Sequence, residues 1–205
     1  SALFQPKPKR LHFVFDLSMS MGRYAADGRL QRSLEAAVMV LEAVKGFEQK
    51  FEIRYSGHSG DSDNVELGVE FGHLPRNDKE RLSVIRKMNS HVQMCDSGDT
   101  TVQAIRKAVD QMARDGREAD ARYIFAVSDA NLDQYGITTG HFEQLVASAM
   151  RANTHLFILF IASMGDQAKH FEEKLPGKVF TCLDKTSIPK TLKKMFLAAA
   201  SASKM

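Results

Sequence analysis

Three short stretches of this chain carry oxygen donors in patterns that a hard cation can use. In Phe15-Asp16-Leu17-Ser18-Met19-Ser20, the residues Asp16, Ser18 and Ser20 alternate with apolar ones. The second stretch is Cys95-Asp96-Ser97-Gly98-Asp99-Thr100-Thr101, and the third is Ser128-Asp129-Ala130-Asn131. Magnesium and similar hard cations take oxygen ligands in octahedral geometry at about 2.0–2.1 Å and keep several waters. Serine and threonine hydroxyls are short enough to sit directly on such an ion. Asp16 and Asp129 offset its charge, either directly or through bound water. The i, i+2, i+4 spacing fits a turn just leaving a strand, where alternate side chains can point to one centre. The motif is short: at ordinary residue usage, Asp-x-Ser-x-Ser arises by chance in about one chain in twenty of this length. The plain alternative for Ser18 and Ser20 is capping and turn chemistry. What separates the two readings is placement.

Placement depends on the elements around the three stretches. Leu11 to Phe15 is a compact apolar run that reads as a buried strand ending at Asp16. Leu30, Leu34, Val38, Leu41 and Phe47 recur at helical spacing and predict a helix over about 29–49. Phe51 to Tyr55 reads as a second strand, 57–64 as a polar turn region, and Val65 to Phe71 as its hairpin partner. Residues 78–89 read as a helix. The Asp99 stretch then opens a helix carrying Val102, Ile105, Val109 and Met112, stopped by Gly116. Tyr123 to Val127 is another buried strand, ending at Ser128-Asp129. A helix over His141–Arg151, a strand over His155–Ile161, a helix over Asp166–Leu175, a short strand over Lys178–Cys182 and a helix over Ile188–Ala200 complete the chain.

That alternation predicts an α/β fold with three layers. Its centre is a doubly wound, mostly parallel six-stranded sheet with one antiparallel edge strand. In such a sheet, ligands bind outside the carboxyl ends of the strands, where the strand order reverses. All three donor stretches are expected at that edge.

The 205 residues suit one domain with a real core. The expected division is a basic leader over 1–10, the domain over 11–200 and a short tail over 201–205. Hydrophobic residues at 43% and charged residues at 26% are ordinary for a soluble globular protein. A net charge of +3, with scattered basic residues, gives no sign of nucleic-acid binding. Lys7-Pro8-Lys9-Arg10 reads as a solvated lead into the first strand. Cys95 and Cys182 lie far apart, which suits a reducing, intracellular compartment rather than a disulfide framework. The longest apolar run, Leu156 to Ala162, falls far short of the roughly 20 residues of a membrane span. No signal peptide is visible.

The donor pattern resembles the von Willebrand factor A domain, whose metal-ion-dependent adhesion site is Asp-x-Ser-x-Ser, then Thr, then Asp. The likeness covers about residues 11–199. Longer runs carry a narrower likeness: Phe13 to Tyr24, Tyr55 to Gly60, Ser97-Gly98-Asp99, Val127 to Leu132 and Gly165 to Ala168. They resemble the C-terminal domain of the protein-eight family of von Willebrand factor A domain-containing proteins, whose members are large mitochondrial AAA+ ATPases. The resemblance implies a partner-recognition module rather than an enzyme. It would hold Mg2+, or Mn2+ or Ca2+, and dock a protein partner through an acidic side chain on the metal. It also implies an AAA+ module in the same chain or complex and a mitochondrial location.

Asp16, Ser18, Ser20 and Asp129 match the family's positions. The threonine is open. The family pattern often places it five residues before a small residue of the following helix, and counting back from Ala104 lands on Asp99. Either Thr100 is the ligand, or Asp99 takes the threonine's place and Thr101 caps the helix. A directly bound Asp99 would make the site net negative and disfavour an acidic ligand.

Two alternatives stand beside this reading. One is the same fold with a structural or lost metal site. The other is a phosphatase of the haloacid dehalogenase type, in which a nucleophilic Asp also ends the first strand. That chemistry wants a second acid two residues on, where this chain has Ser18. There is no Gly-x-Ser-x-Gly elbow and no Gly-x-x-x-x-Gly-Lys loop. Arg23 and Tyr24 are expected either as partner contacts or as plain surface, and Asp61 and Asp63 as a hairpin turn rather than a calcium loop.

Overall fold

The apolar runs become strands of one six-stranded sheet, ordered β3-β2-β1-β4-β5-β6. The strands are β1 (Lys9–Asp16), β2 (Phe51–His58), β3 (Val65–Val69), β4 (Ala121–Ser128), β5 (His155–Ile161) and β6 (Val179–Cys182). This is a computed structural model, and it describes residues 7–22, 27–129, 131–161 and 165–202. Every pairing is parallel except β2 with β3, which is antiparallel and places β3 at one edge. The order runs from β1 to β2 in one direction and from β1 to β4 in the other. The reversal therefore falls between β1 and β4, the two strands that end in Asp16 and Ser128.

Six helices cover the two faces: α1 (Arg29–Val44), α2 (Asp78–Met94), α3 (Thr101–Arg114), α4 (Thr139–Arg151), α5 (Gly165–Lys174) and α6 (Ile188–Ala202). α1, α2 and α6 pack on the face that carries Leu11, Phe13 and Phe15. α3, α4 and α5 pack on the face that carries Val14, Ile124 and Ile158. The strand period of two divides the same strands between both cores, so the central strands are apolar on both sides.

On the first face, the register lines up Tyr55, Phe13, Phe125 and Phe157 across four adjacent strands. Phe13 and Phe125 stack at 4.8 Å between ring centroids, and Phe125 and Phe157 at 5.6 Å. Such cross-strand aromatic pairs contribute beyond their buried area. The Tyr55 hydroxyl donates to the Ala37 carbonyl at 2.6 Å and so ties the ladder to α1.

Three expectations change. α1 stops at Val44 rather than near 49, because Gly46 adopts a left-handed φ of 83° that breaks the helical path. Phe47 then lies outside the helix and is 49% exposed. α2 runs to Met94, not to 89, because Val92 is needed in the core. Its start is capped by Asn77, whose side chain accepts the Glu80 N–H at 2.9 Å. Gly116 is not a left-handed stop. α3 ends at Arg114 and is capped by Asp115, whose carboxylate is held by Arg10 and Arg117.

Arg10 also corrects the expected solvated leader. Lys9 and Arg10 belong to β1, and Arg10 is only 1% exposed. Its guanidinium meets Glu52 at 2.6 Å and Asp115 at 2.7 Å and lies over the Phe71 ring. A buried cation is tolerable only when it is paired this well; removing it leaves Glu52 without its cation and Asp115 with Arg117 alone. Arg10→Ala is expected to lower the unfolding free energy by about 3 kcal/mol in a urea titration.

His12 and His58 give the fold a second testable property. His12 sits at 2.8 Å from the Ser56 hydroxyl, and its pKa is lowered from 6.5 to about 3 by burial and, secondarily, by the charge of Arg54. His58 is also lowered to about 3, by burial and then by His91. Both rings are neutral in the folded state, whereas the unfolded chain takes up protons below about 6.5. Stability is therefore expected to fall as pH drops from about 6.5 towards 3, and His12→Gln to flatten part of that slope in denaturant midpoints measured across pH.

Candidate metal centre

β1 delivers Asp16 to the switch point, and strand alternation places it on the same face as Val14, beneath the start of α3. Its carboxylate is wholly buried. One oxygen, Oδ1, accepts the Ser18 N–H at 2.9 Å, and Oδ2 accepts the Ser128 hydroxyl at 3.3 Å. After Asp16 the chain alternates apolar and polar side chains. Leu17 and Met21 are fully buried, whereas Ser18 and Ser20 lie on the polar side of the turn. The Leu17 N–H donates to the His58 carbonyl at 2.8 Å, and the Cys95 thiol donates to the Leu17 carbonyl at 3.3 Å. A side chain at Gly57 would meet Leu17 at 2.4 Å, so this glycine makes room for the loop.

The hydroxyls of Ser18 and Ser20 share a hydrogen bond of 3.0 Å beside the buried Asp16 carboxylate. Two adjacent oxygen ligands of a hard cation with bonds of about 2.1 Å would stand a similar distance apart, so the pair could take such an ion with little movement.

β4 delivers Ser128 and Asp129, both buried. Asp129 Oδ1 accepts the Asn131 N–H at 3.0 Å, and Oδ2 accepts Nη1 of Arg29 at 3.0 Å. The second loop brings Asp99 up before α3, where its Oδ1 accepts the Thr101 N–H at 2.6 Å. Gly60 and Gly98 let two loops touch there: a Cβ on Gly60 would lie 2.4 Å from the Ser97 carbonyl oxygen. Thr100 is turned elsewhere. Its hydroxyl donates to the carbonyls of Ser59 and Ser62, at 2.7 and 3.0 Å. Thr101 is the first residue of α3 rather than its cap, and its hydroxyl is buried beside the Asp99 carboxylate.

The three carboxylates feel one another. Burial pushes Asp16 well above the usual carboxylate range; the charges of Asp129 and Asp99 push it further, against hydrogen bonds from Ser18. Burial also raises Asp99, with Asp129 adding to the shift and the Thr101 hydrogen bonds opposing it. Burial works against the Arg29 charge, but its pairs with Asp27 and Asp129 outweigh burial and raise its pKa. Among the described residues, no group of three or more His, Cys, Asp or Glu side chains stands close enough to hold a metal ion by itself. The donor set is instead mixed, with two hydroxyls beside mutually repelling carboxylates. That chemistry fits a hard divalent cation.

The fold thus brings Asp16, Ser18, Ser20 and Asp129 to one sheet edge, sets Asp99 within electrostatic range and turns the Thr100 hydroxyl away. Arg23 and Tyr24 lie outside the described residues. A cleft of about 360 Å³ opens over the edge, lined by Ser20, Arg29, Ser97, Gly98, Asn131 and Tyr135 among others. Arg29 is the residue that sequence reasoning missed. One local signal was present: a cation in the first turn of α1, with no acid in that turn, sits where the helix dipole disfavours positive charge.

No family model matches the chain. The chain is 40% identical over 201 residues to von Willebrand factor A domain-containing protein 8 of Mus musculus; the match takes in 97% of this chain and 10% of that protein. This chain therefore spans about a tenth of its relative's length. Among solved structures, it is similar to the pilus adhesin SpaC of Lactobacillus rhamnosus GG, with a TM-score of 0.66 and 11% identity over 95% of this chain and 30% of that one. It is also similar to BatB of Bacteroides thetaiotaomicron, with a TM-score of 0.59 and 12% identity over 93% of this chain and 98% of that one. At these identities the structural matches speak for the fold alone. Strand order, the single antiparallel edge and the sequence match agree, and the chain is a von Willebrand factor A-type domain, similar over nearly its whole length to one segment of von Willebrand factor A domain-containing protein 8.

Proposed function

We propose that this domain is a metal-dependent protein–protein interaction module, with Mg2+ as the first ion to test and Mn2+ or Ca2+ as substitutes. The observation that carries the reading is the Ser18–Ser20 hydroxyl pair, hydrogen-bonded at 3.0 Å beside buried Asp16. Ser18 and Ser20 would hold the ion, with Asp16, Asp129 and Asp99 offsetting its charge. The ion, when bound, supplies a concentrated positive charge for a partner's oxygen donor. The chain supplies the rest: Leu17 and Met21 anchor the loop, and Asp16 is oriented through the Ser18 amide and the Ser128 hydroxyl.

The partner is a protein that presents an acidic side chain to the open cleft. The domain works within a larger AAA+ ATPase, in line with the family resemblance and with a relative about ten times longer than the aligned segment. By the same resemblance the setting is mitochondrial. No described helix is long and apolar enough to cross a membrane.

Calorimetric titration of metal-free protein with MgCl2 tests the reading. Asp16→Asn is expected to abolish the binding heat while keeping the fold. Thr100→Ala is expected to leave metal affinity nearly unchanged but to cost about 1–2 kcal/mol of stability, because the Ser59 carbonyl loses the Thr100 hydroxyl and the Ser62 carbonyl is left with the Ser59 N–H alone. Asp99→Ala is expected to change metal affinity more than Thr100→Ala does. Equal and negligible effects of both would remove the second loop from the site.

A further inference from the structure

Arg29 is held at the metal edge by two carboxylates. Its Nη1 donates to Asp129 at 3.0 Å; its Nη2 meets Asp27 at 2.7 Å, and its Nε donates to both Asp27 oxygens at 3.1 Å. The Arg29 side chain is 12% exposed and that of Asp129 only 1%. Gly28 precedes Arg29 with a left-handed φ of 78°, as the N-cap of α1. An arginine is a costly choice at this helix position, because the dipole there presents its positive end. Its reason must lie in its partners. Asp129 is the deeper of the two, and its other oxygen is already fixed by the Asn131 amide. Arg29 is thus not needed to orient Asp129. What it adds there is charge.

We propose that Arg29 is a resident cation of the metal site, one that neutralises the Asp129 corner and competes with the divalent ion for it. The inference rests on the metal reading given above. Asp16, Asp99 and Asp129 place three negative charges around a small buried region, and the guanidinium offsets one of them without any ion. The fold can therefore close its metal edge in the absence of metal. An incoming cation meets a positive charge already paired with one of its carboxylates, so Arg29 sets metal affinity below what the donors alone would give. Asp27 modulates the competition from the solvent side: it shares the guanidinium and draws it away from Asp129. A partner carboxylate entering the cleft beside Arg29 would act in the same direction as Asp27, and would therefore favour metal binding.

The test measures Mg2+ binding by calorimetry and thermal stability of the metal-free protein, for wild type, Arg29→Met, Arg29→Lys and Asp27→Asn. Arg29→Met is expected to bind Mg2+ about tenfold or more tightly, since a charge repelling the ion from close range is removed. The same variant is expected to melt at a lower temperature without metal and to recover with it. Arg29→Lys keeps the charge and should stay close to wild type in affinity. Asp27→Asn should move affinity the opposite way, because the charge that draws the guanidinium away from Asp129 is then lost. Should Arg29→Met fail to fold without metal, Arg29→Gln refolded in MgCl2 provides the affinity comparison. Equal or weaker Mg2+ binding by Arg29→Met or Arg29→Gln, with wild-type binding intact, overturns the competition and leaves the metal reading standing. No binding by any of the proteins overturns both.

Discussion

A carboxylate buried at the end of the central strand sets the terms for the whole carboxyl edge of the sheet. Asp16 has no exposed surface, and it shares its surroundings with Asp129 and Asp99. Like charges buried near one another repel, so such a cluster needs relief. Three kinds of relief are available. A proton can sit on Asp16, which is the direction in which its pKa moves. A guanidinium can pair with Asp129, as Arg29 does. A divalent ion can use the Ser18 and Ser20 hydroxyls and offset two charges at once. The first two reliefs come from solvent and from the chain itself. The third would be stronger, and it would compete with the other two for the same carboxylates.

The sheet makes that competition sharp by keeping the donors from moving. Leu17 and Met21 are buried on either side of Ser18, and the Tyr55-Phe13-Phe125-Phe157 ladder locks the strands that bear Asp16 and Ser128. A loop free to relax would let the carboxylates drift apart. Here each is pinned by a backbone amide: Asp16 by Ser18, Asp99 by Thr101 and Asp129 by Asn131. Those amides partly answer the negative charge without satisfying it, which keeps the site receptive to a cation.

Much of this was legible in the sequence where the signal is local. Apolar runs of four to eight residues gave the strands, and the donor motif stood directly after the first of them. Asp129 and Asp99 were legible through placement, since both follow or precede elements whose ends must meet at the switch point. What could not be read depends on partners distant along the chain. Arg10 looked like part of a solvated leader because its carboxylates, Glu52 and Asp115, belong to other elements. The orientation of Thr100 is set by carbonyls of the 59–62 loop, and nothing near Thr100 announces them. Arg29 carried a faint local clue, its poor fit to the helix dipole, but Asp129 lies a hundred residues away. Gly46, by contrast, was a local stop signal for α1, and the apolar position of Phe47 outweighed it in the reading of periodicity.

The charge tally decides what kind of partner the proposed ion could serve. Counting only Asp16, Asp99 and Asp129, a divalent ion leaves one negative charge in excess, and a partner's carboxylate would be repelled. Arg29, which pairs with Asp129 in the metal-free protein, brings the inner tally to zero. Asp27 returns a negative charge, but with 26% of its side chain exposed it is better screened by water than the inner carboxylates are. The edge would therefore be close to neutral with an ion in place and net negative without one, even with a proton on Asp16. An acidic partner would tell the two states apart, and a basic one would prefer the metal-free state. Discrimination of that kind, rather than raw affinity, is what a docking site built from repelling carboxylates and a single arginine is suited to provide.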